Sequence, residues 1–194
     1  MSLTIAPVTG AGLAQVVPTL ARLRIAVFRD FPYLYDGDAA YEADYLAAFA
    51  AAEGAVIVVA RTGDAIVGAA TAAPLATQDV AWQGPLAAAG FDIAHTFYFG
   101  ESVLLGAYRG RGIGHAFFDH REAQARAHGA THAAFCSVIR AADHPARPAG
   151  YRPLDAFWRS RGYAPLTGVT ASFDWKTVGG GEERHELQYW TRRL

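Results

Sequence analysis

The stretch that decides the fold is Glu101-Ser102-Val103-Leu104-Leu105-Gly106-Ala107-Tyr108-Arg109-Gly110-Arg111-Gly112-Ile113-Gly114, continued as His115 to Gly129. It opens as an apolar strand, passes through a turn holding Gly110, Gly112 and Gly114, and goes on as a helix. Glycine admits positive φ and lets main chain approach a ligand with no Cβ in the way. The helix starting near Gly112 points its free N–H groups, and the positive end of its dipole, into the turn. Such a turn suits phosphate or pyrophosphate. Arg109 and Arg111 add forked cationic donors.

Two common phosphate loops do not fit. A Walker loop needs Gly-Lys-Ser/Thr after its glycines, and none follows here. A dinucleotide fingerprint reads G-x-G-x-x-G, whereas Gly110 to Gly114 reads G-x-G-x-G. That fingerprint also belongs near the start of a βαβ unit, with an acidic residue about 20 positions on, where this chain has Ala130.

What Arg109-Gly110-Arg111-Gly112-Ile113-Gly114 does fit is Arg/Gln-x-x-Gly-x-Gly/Ala. This resembles the pyrophosphate loop of the GNAT superfamily of acyl-CoA N-acyltransferases. The preceding strand strengthens the resemblance, because that family often reads Glu-x-x-Val-x-x-x-Tyr-Arg-Gly-x-Gly-Ile-Gly, and Glu101, Val103 and Tyr108 stand close to that pattern. Leu154-Asp155-Ala156-Phe157-Trp158-Arg159-Ser160-Arg161-Gly162-Tyr163 is similar to the family's late helix, often Phe-Tyr-x-x-x-Gly-Phe.

Working outward, Leu3 to Val8 reads as a strand and Leu13 to Phe28 as a helix, with Pro18 starting a second piece or a kink. The aromatic segment Arg29 to Asp38 follows, and Asp38 caps a helix over 39–52. Strands Ala55–Arg61 and Ala65–Pro74 flank a tight turn. Gln78 to Asp92 is a surface excursion with a short helix, and Thr96 to Leu105 is a strand carrying Glu101. Helix 112–128 and strand Thr131–Ile139 complete a parallel crossover. Arg140 to Pro153 reads as a long loop, Leu154 to Arg161 as a short helix, and Val169–Thr177 and His185–Thr191 as a hairpin about Gly179 to Gly181. The order implies one α/β domain over residues 1–194: a mixed sheet with helices on both faces. The family resemblance implies a mostly antiparallel GNAT-like sheet.

Bulk properties narrow the partners. The 194 residues suit one domain with a substantial core, and the net charge of −1 recommends neither nucleic acid nor membrane. Cys136 is the sole cysteine, so no internal disulfide forms, and a cytoplasmic location is expected. The N-terminus shows no signal-peptide pattern, and no apolar run reaches membrane-spanning length. Lys176 is the only lysine, which together with abundant alanine reflects base composition rather than function.

Acyl transfer from a thioester to an amine needs a base for the ammonium proton, donors for the oxyanion, and help for the departing thiolate. The resemblance assigns the base to Glu101, eight residues before Arg109. Desolvation on a central strand would raise its pKa into a useful range. The alternative is an ion-pair partner within the sheet. By the same resemblance Val103, Leu104 and Leu105 offer backbone to the pantetheine arm, with the N–H of Leu104 as oxyanion donor. Arg109, Gly110, Arg111, Gly112, Ile113 and Gly114 would bind the cofactor, acetyl-CoA.

The family's acid is often a tyrosine on the late helix. The matching residue is Trp158, whose indole cannot release a proton at useful pH. Trp158 is therefore expected to pack, against the cofactor arm. Tyr151, Tyr163, Ser137 or water remain as proton donors, or the thiolate leaves unaided, its conjugate thiol having a pKa of about 8.5. Phe31, Tyr33, Tyr35 and Tyr151 are the expected acceptor-binding aromatics. Cys136 is expected in the core, and a His115/Asp119 pair on one helix is too sparse for a metal. The expected activity is N-acetyl transfer to a primary amine of a small molecule or peptide, with a homodimer as the self-association considered. The rivals are a non-catalytic acyl-CoA sensor and a binder of another nucleotide.

Overall fold

The computed structural model describes residues 2–194. Seven strands form one sheet: β1 (Leu3–Thr9), β2 (Val56–Thr62), β3 (Ala65–Pro74), β4 (Thr96–Leu104), β5 (His132–Val138), β6 (Ala164–Lys176) and β7 (Glu182–Arg193). Five helices accompany them: α1 (Leu13–Phe28), α2 (Ala39–Ala51), α3 (Val80–Ala88), α4 (Ile113–Ala127) and α5 (Asp155–Ser160). The strand order is β1-β2-β3-β4-β5-β7-β6. Every neighbouring pair is antiparallel except β4–β5, which helix α4 joins as a parallel crossover.

Each sheet face buries its own apolar cluster. On one face Val56, Val58, Phe97 and Phe99 meet Ile113, Phe117 and Phe118 of α4. On the other, Ile57, Val59 and Val103 meet Leu13, Val16, Leu20 and Leu23 of α1 and Leu46 and Phe49 of α2. Alternation along β2 divides its apolar residues between the two, as expected for a central strand covered on both sides. Against the sequence expectation that no run reaches membrane-spanning length, Gly10–Phe28 is long and apolar enough to cross a membrane by length and composition alone. In the fold, its buried side is a core face, and Pro18 sits within an unbroken helix. The side chain of Asp38 caps α2, accepting from the N–H of Tyr41 at 2.8 Å.

Strand bounds depart from the sequence reading near the ends. β4 stops at Leu104 and a 3-10 turn, Gly106–Tyr108, precedes the glycine loop. β6 begins at Ala164 rather than Val169, with a register shift between Pro165 and Thr170. β7 runs Glu182–Arg193, well beyond His185–Thr191, because its charged ends still pair with β5 and β6.

The feature that positions the site is a bulge in β4. Ala72 pairs with Phe99 and Ala70 with Ser102, so Thr71 faces two residues, Gly100 and Glu101. An extra residue inverts side-chain parity along the strand. Phe97 and Phe99 therefore point to the α4 face, yet Val103 points to the α1–α2 face and Leu104 back to α4. Glu101 is turned towards α1. The Glu101 N–H donates to Thr71 Oγ1 at 3.1 Å. Gly100 is required by close approach: a Cβ there would lie 2.5 Å from Thr71 Oγ1.

Past the bulge β4 parts from β5. Their ladder has three pairs, Thr96↔His132, Phe97↔Ala133 and Tyr98↔Ala134. From Phe135 to Val138, β5 pairs only with β7. A wedge-shaped gap opens in mid-sheet. Gly100→Ala is expected to lower stability by about 1–3 kcal/mol through overpacking, read as a shifted urea midpoint. An unchanged midpoint would show that the bulge relaxes freely.

Candidate active site

The glycine loop sits at the end of β4. Gly110 and Gly112 have φ of 75° and 78°, and Gly112 is the N-cap of the 15-residue α4. Such φ values strain any residue with a Cβ, and nothing within 4 Å crowds either glycine. Among the described residues, the backbone N–H groups of Gly110 to Gly114 find no acceptor within the chain. Five free donors at a helix N-terminus form an anion-binding nest. The Arg109 Nε–H donates to Leu104 O at 3.4 Å, and Arg111 Nη2 donates to Ala107 O at 3.0 Å with its guanidinium over the Tyr108 ring. Both side chains are exposed at the rim and, among the described residues, pair with no carboxylate. Gly114 packs differently: a Cβ there would touch Phe157 at 3.4 Å.

The end of β4 offers backbone to the gap. The Leu105 N–H donates to Val67 O of β3 at 3.0 Å. Successive strand N–H groups point to opposite edges, so the N–H of Leu104 points away from β3, where the β5 ladder has already ended. Val103 is fully buried by its side chain, and Leu104 and Leu105 are half-buried against the two cores.

Glu101 lies one turn of strand before these groups, 6% exposed. Its Oε2 pairs with Arg24 Nη1 at 2.6 Å, while Oε1 is buried with no partner. Arg24 also grips Glu42 of α2 with two donors, Nε to Oε2 and Nη2 to Oε1. Glu42 is wholly buried. Arg24 further lies over the rings of Tyr45, 4.7 Å from its centroid, and Phe28. Burial pushes the Glu101 carboxyl above the usual glutamate value, Arg24 pulls it down, and the neighbouring Glu42 pushes it up again. The two carboxylates hold the Arg24 guanidinium firmly protonated against the cost of its burial. Of the two sequence-level alternatives for Glu101, the ion pair is present, and among the described residues one carboxylate oxygen is left without a partner.

The expected acceptor-side aromatics separate into two groups. Phe31 and Tyr151 meet edge to face at 4.7 Å. They line a cleft of about 390 Å³ with Ser137, Arg140, Arg147 and Trp190. Tyr33 instead stacks on Phe28 at 4.2 Å, and Tyr35 joins the α1–α2 core while bridging to Thr177. A larger cleft, about 610 Å³, lies between α1 and the β2–β3 turn and includes none of the expected site residues.

Trp158 packs against Phe135 and Trp190, with centroids 5.1 and 5.0 Å away. Tyr163 is buried and donates to Glu122, which also binds Arg161 and Arg192; this ties α4, α5 and β7 together and removes Tyr163 from proton delivery. Ser137 Oγ accepts from the Trp190 indole at 3.0 Å. Burial pushes the Cys136 thiol well up, which favours the neutral thiol over the thiolate. His115 rests on Phe157 and Asp119 pairs with Arg161, so these two do not pair with each other. Among the described residues no cluster of three metal-ligating side chains occurs.

Several site residues escaped the sequence reading. Arg24 falls on the buried stripe Leu20-Arg24-Phe28, and Glu42 on Glu42-Leu46-Phe49. A charge on an apolar stripe was the available signal, since such a charge needs a buried partner. Arg121 of α4, 1% exposed between Phe99 and Phe118, donates to Thr71 O beneath the bulge. Arg140 donates to Pro32 O and Tyr33 O and meets His185. Periodicity carries no sign of these long-range contacts.

Comparison with solved structures gives full-length matches. The chain aligns with yncA of Salmonella typhimurium, solved with its cofactor acetyl-CoA, at TM-score 0.62 and 14% identity over 100% of this chain and 95% of that one. It aligns with the ribosomal-protein-alanine N-acetyltransferase of Brucella melitensis at 0.64 and 16%, over 98% and 99%. A GCN5-related N-acetyltransferase of Kribbella flavida aligns at 0.59 and 17%, over 99% and 98%. At these identities the likeness is one of fold. Comparison with curated protein sequences finds no match. The profile of the acetyltransferase (GNAT) family matches residues 20–149, a span that runs from α1 through the bulge and the glycine loop to β5, and the chain belongs to that family.

Proposed function

We propose that the protein transfers an acetyl group from acetyl-CoA directly to a primary amine of a small molecule or peptide, in the cytoplasm. The carrying observation is the row of unbonded N–H groups at Gly110 to Gly114, just beyond the strand end that has lost its β5 partner. Diphosphate oxygens satisfy that row, with Arg109 and Arg111 at its rim. The pantetheine arm then runs along Val103 to Leu105 and bonds to β4 as a substitute strand. The thioester carbonyl comes to the N–H of Leu104, a donor for the oxyanion of the tetrahedral intermediate.

The amine nitrogen attacks the thioester carbonyl carbon, the carbon–sulfur bond breaks, and the amine proton passes to Glu101, directly or through water. The free Oε1 of Glu101 and its raised pKa support that role. The thiolate takes its proton from solvent or from Tyr151, since Trp158 is occupied by packing. The acceptor enters by the Phe31–Tyr151 cleft. Trp158 standing where the family often has tyrosine favours one rival, an acyl-CoA-binding module without turnover; tight CoA binding with no product from any amine would decide for it.

Three outcomes are expected. Gly112→Val puts a branched residue at φ 78° and is expected to weaken CoA binding at least about tenfold by calorimetry; unaltered affinity would remove the loop from the reading. Glu101→Gln should cut turnover at neutral pH by about 10²–10⁴ while CoA affinity holds. Phe31→Ala should raise the acceptor KM by about tenfold with kcat little changed. An equal fall in kcat for Phe31→Ala would move that residue to the reaction itself.

A further inference from the structure

We propose that Glu42 is a positioning residue for the transfer step: by holding Arg24 in a two-donor grip, it leaves Glu101 with one donor and one open oxygen, able to take a proton. The proposal rests on the reading of Glu101 as the base. A base must be ionised yet willing to accept a proton, and a carboxylate in a full two-donor pair with arginine accepts one poorly.

The geometry divides Arg24 unequally. Nε goes to Glu42 and Nη2 reaches it more weakly, at 3.4 Å, while only Nη1 reaches Glu101, at 2.6 Å. Two carboxylates share one guanidinium, all three nearly withdrawn from water. The odd negative charge is left beside the open Glu101 Oε1. From α2, Glu42 and Tyr45 face Glu101; from α1, Arg24; from the 29–38 loop, Tyr33; from β3, Thr71; and across the sheet on α4, Arg121. Among these Glu42 alone is a second carboxylate, and it alone competes for Arg24.

If the Glu42 side chain loses its charge, two effects act in the same direction. Repulsion on the Glu101 carboxylate ends, and the Arg24 fork is released to turn onto it. Both lower the Glu101 pKa. An undivided opposite charge is worth about 1–3 pKa units.

The test is a carbon-13 carboxyl titration of glutamate-labelled protein without substrate, with Glu101→Gln identifying the Glu101 signal. In Glu42→Gln the Glu101 midpoint is expected to fall by about one unit or more. A midpoint that stays put in the folded variant overturns the proposal, since a packing role for Glu42 leaves it unmoved. Should Glu42→Gln fail to fold, the unaltered protein decides. A Glu101 midpoint well below the usual glutamate value of about 4.3 shows an undivided Arg24 fork and overturns the idea; one at or above that value, where burial also pushes it, is the expected result. Turnover of Glu101→Gln is read alongside; activity kept there defeats the base assignment and leaves the titration result separately legible.

Discussion

The structure turns on a ladder that ends early. β4 and β5 are the central parallel pair, yet they share only three residue pairs before parting. Strand edges in a sheet interior are costly, because each unbonded N–H or carbonyl needs a partner. Here that cost is confined to one wedge and turned to use. Gly100 admits the Thr71 hydroxyl, the bulge bends β4, and the N–H of Leu104 looks into open space. An extended molecule with amide groups of its own completes such a ladder as a strand would. The bulge also inverts side-chain parity, so the residue that ought to follow Phe99 into the α4 core becomes a carboxylate on the opposite face.

The wedge has opposite electrostatics at its two ends. Its outer end is the α4 N-terminus, where free amides and two exposed arginines favour anions. Its inner side holds two buried carboxylates against one arginine. A ligand with a doubly charged diphosphate at one end and a neutral thioester at the other fits that gradient, its neutral end lying on the acidic side. Removing either partner from the Arg24 group would leave a charge stranded in low dielectric, which is why such clusters are rigid. Rigidity on strand and helix, rather than on loop, aims Glu101 at the gap.

The sequence disclosed the fold because the deciding elements are local. A strand, three glycines and an amphipathic helix follow in one run from Glu101 to Gly129, and each has its own chemistry of φ, dipole and periodicity. Asp38 as a cap, the β2–β3 hairpin and the β5 crossover were equally local. The ends of β6 and β7 were not, since charged residues such as Glu182 and Arg193 enter the ladder only because a neighbour is there to bond them. Glu101 was legible by its place before the loop. Its environment was not: Arg24 stands 77 residues away in sequence, and Thr71 owes its part to a bulge that no alternation of apolar residues announces. Of the four aromatics, the division into Phe31 and Tyr151 at the cleft and Tyr33 and Tyr35 in the core followed from the path of the 29–38 loop.

That loop is held by several contacts: Lys176 and Arg29 pair with Asp36, and Arg140 binds its backbone. Arg140, at the far end of β5, donates Nε to Pro32 O at 2.7 Å and Nη2 to Tyr33 O at 2.9 Å. Its Nη1 lies 2.9 Å from His185 Nδ1. A guanidinium has no lone pair to offer, so His185 must accept, and its proton must stand on Nε2, directed at Thr177 Oγ1 3.3 Å away. The imidazole is therefore neutral; burial first, and then Arg140, holds its pKa below the usual histidine value. Trp175 stacks on the same imidazole at 3.8 Å and donates its own N–H to Tyr33 O. The wall of the Phe31–Tyr151 cleft is thus bolted to the β6–β7 hairpin through a histidine that works only uncharged. The glycine-loop end of the wedge rests on backbone geometry, and the Phe31–Tyr151 cleft rests on side chains drawn from three distant segments. Substitution among those side chains can reshape that cleft while the bulge, the gap and the glycine loop stand unchanged.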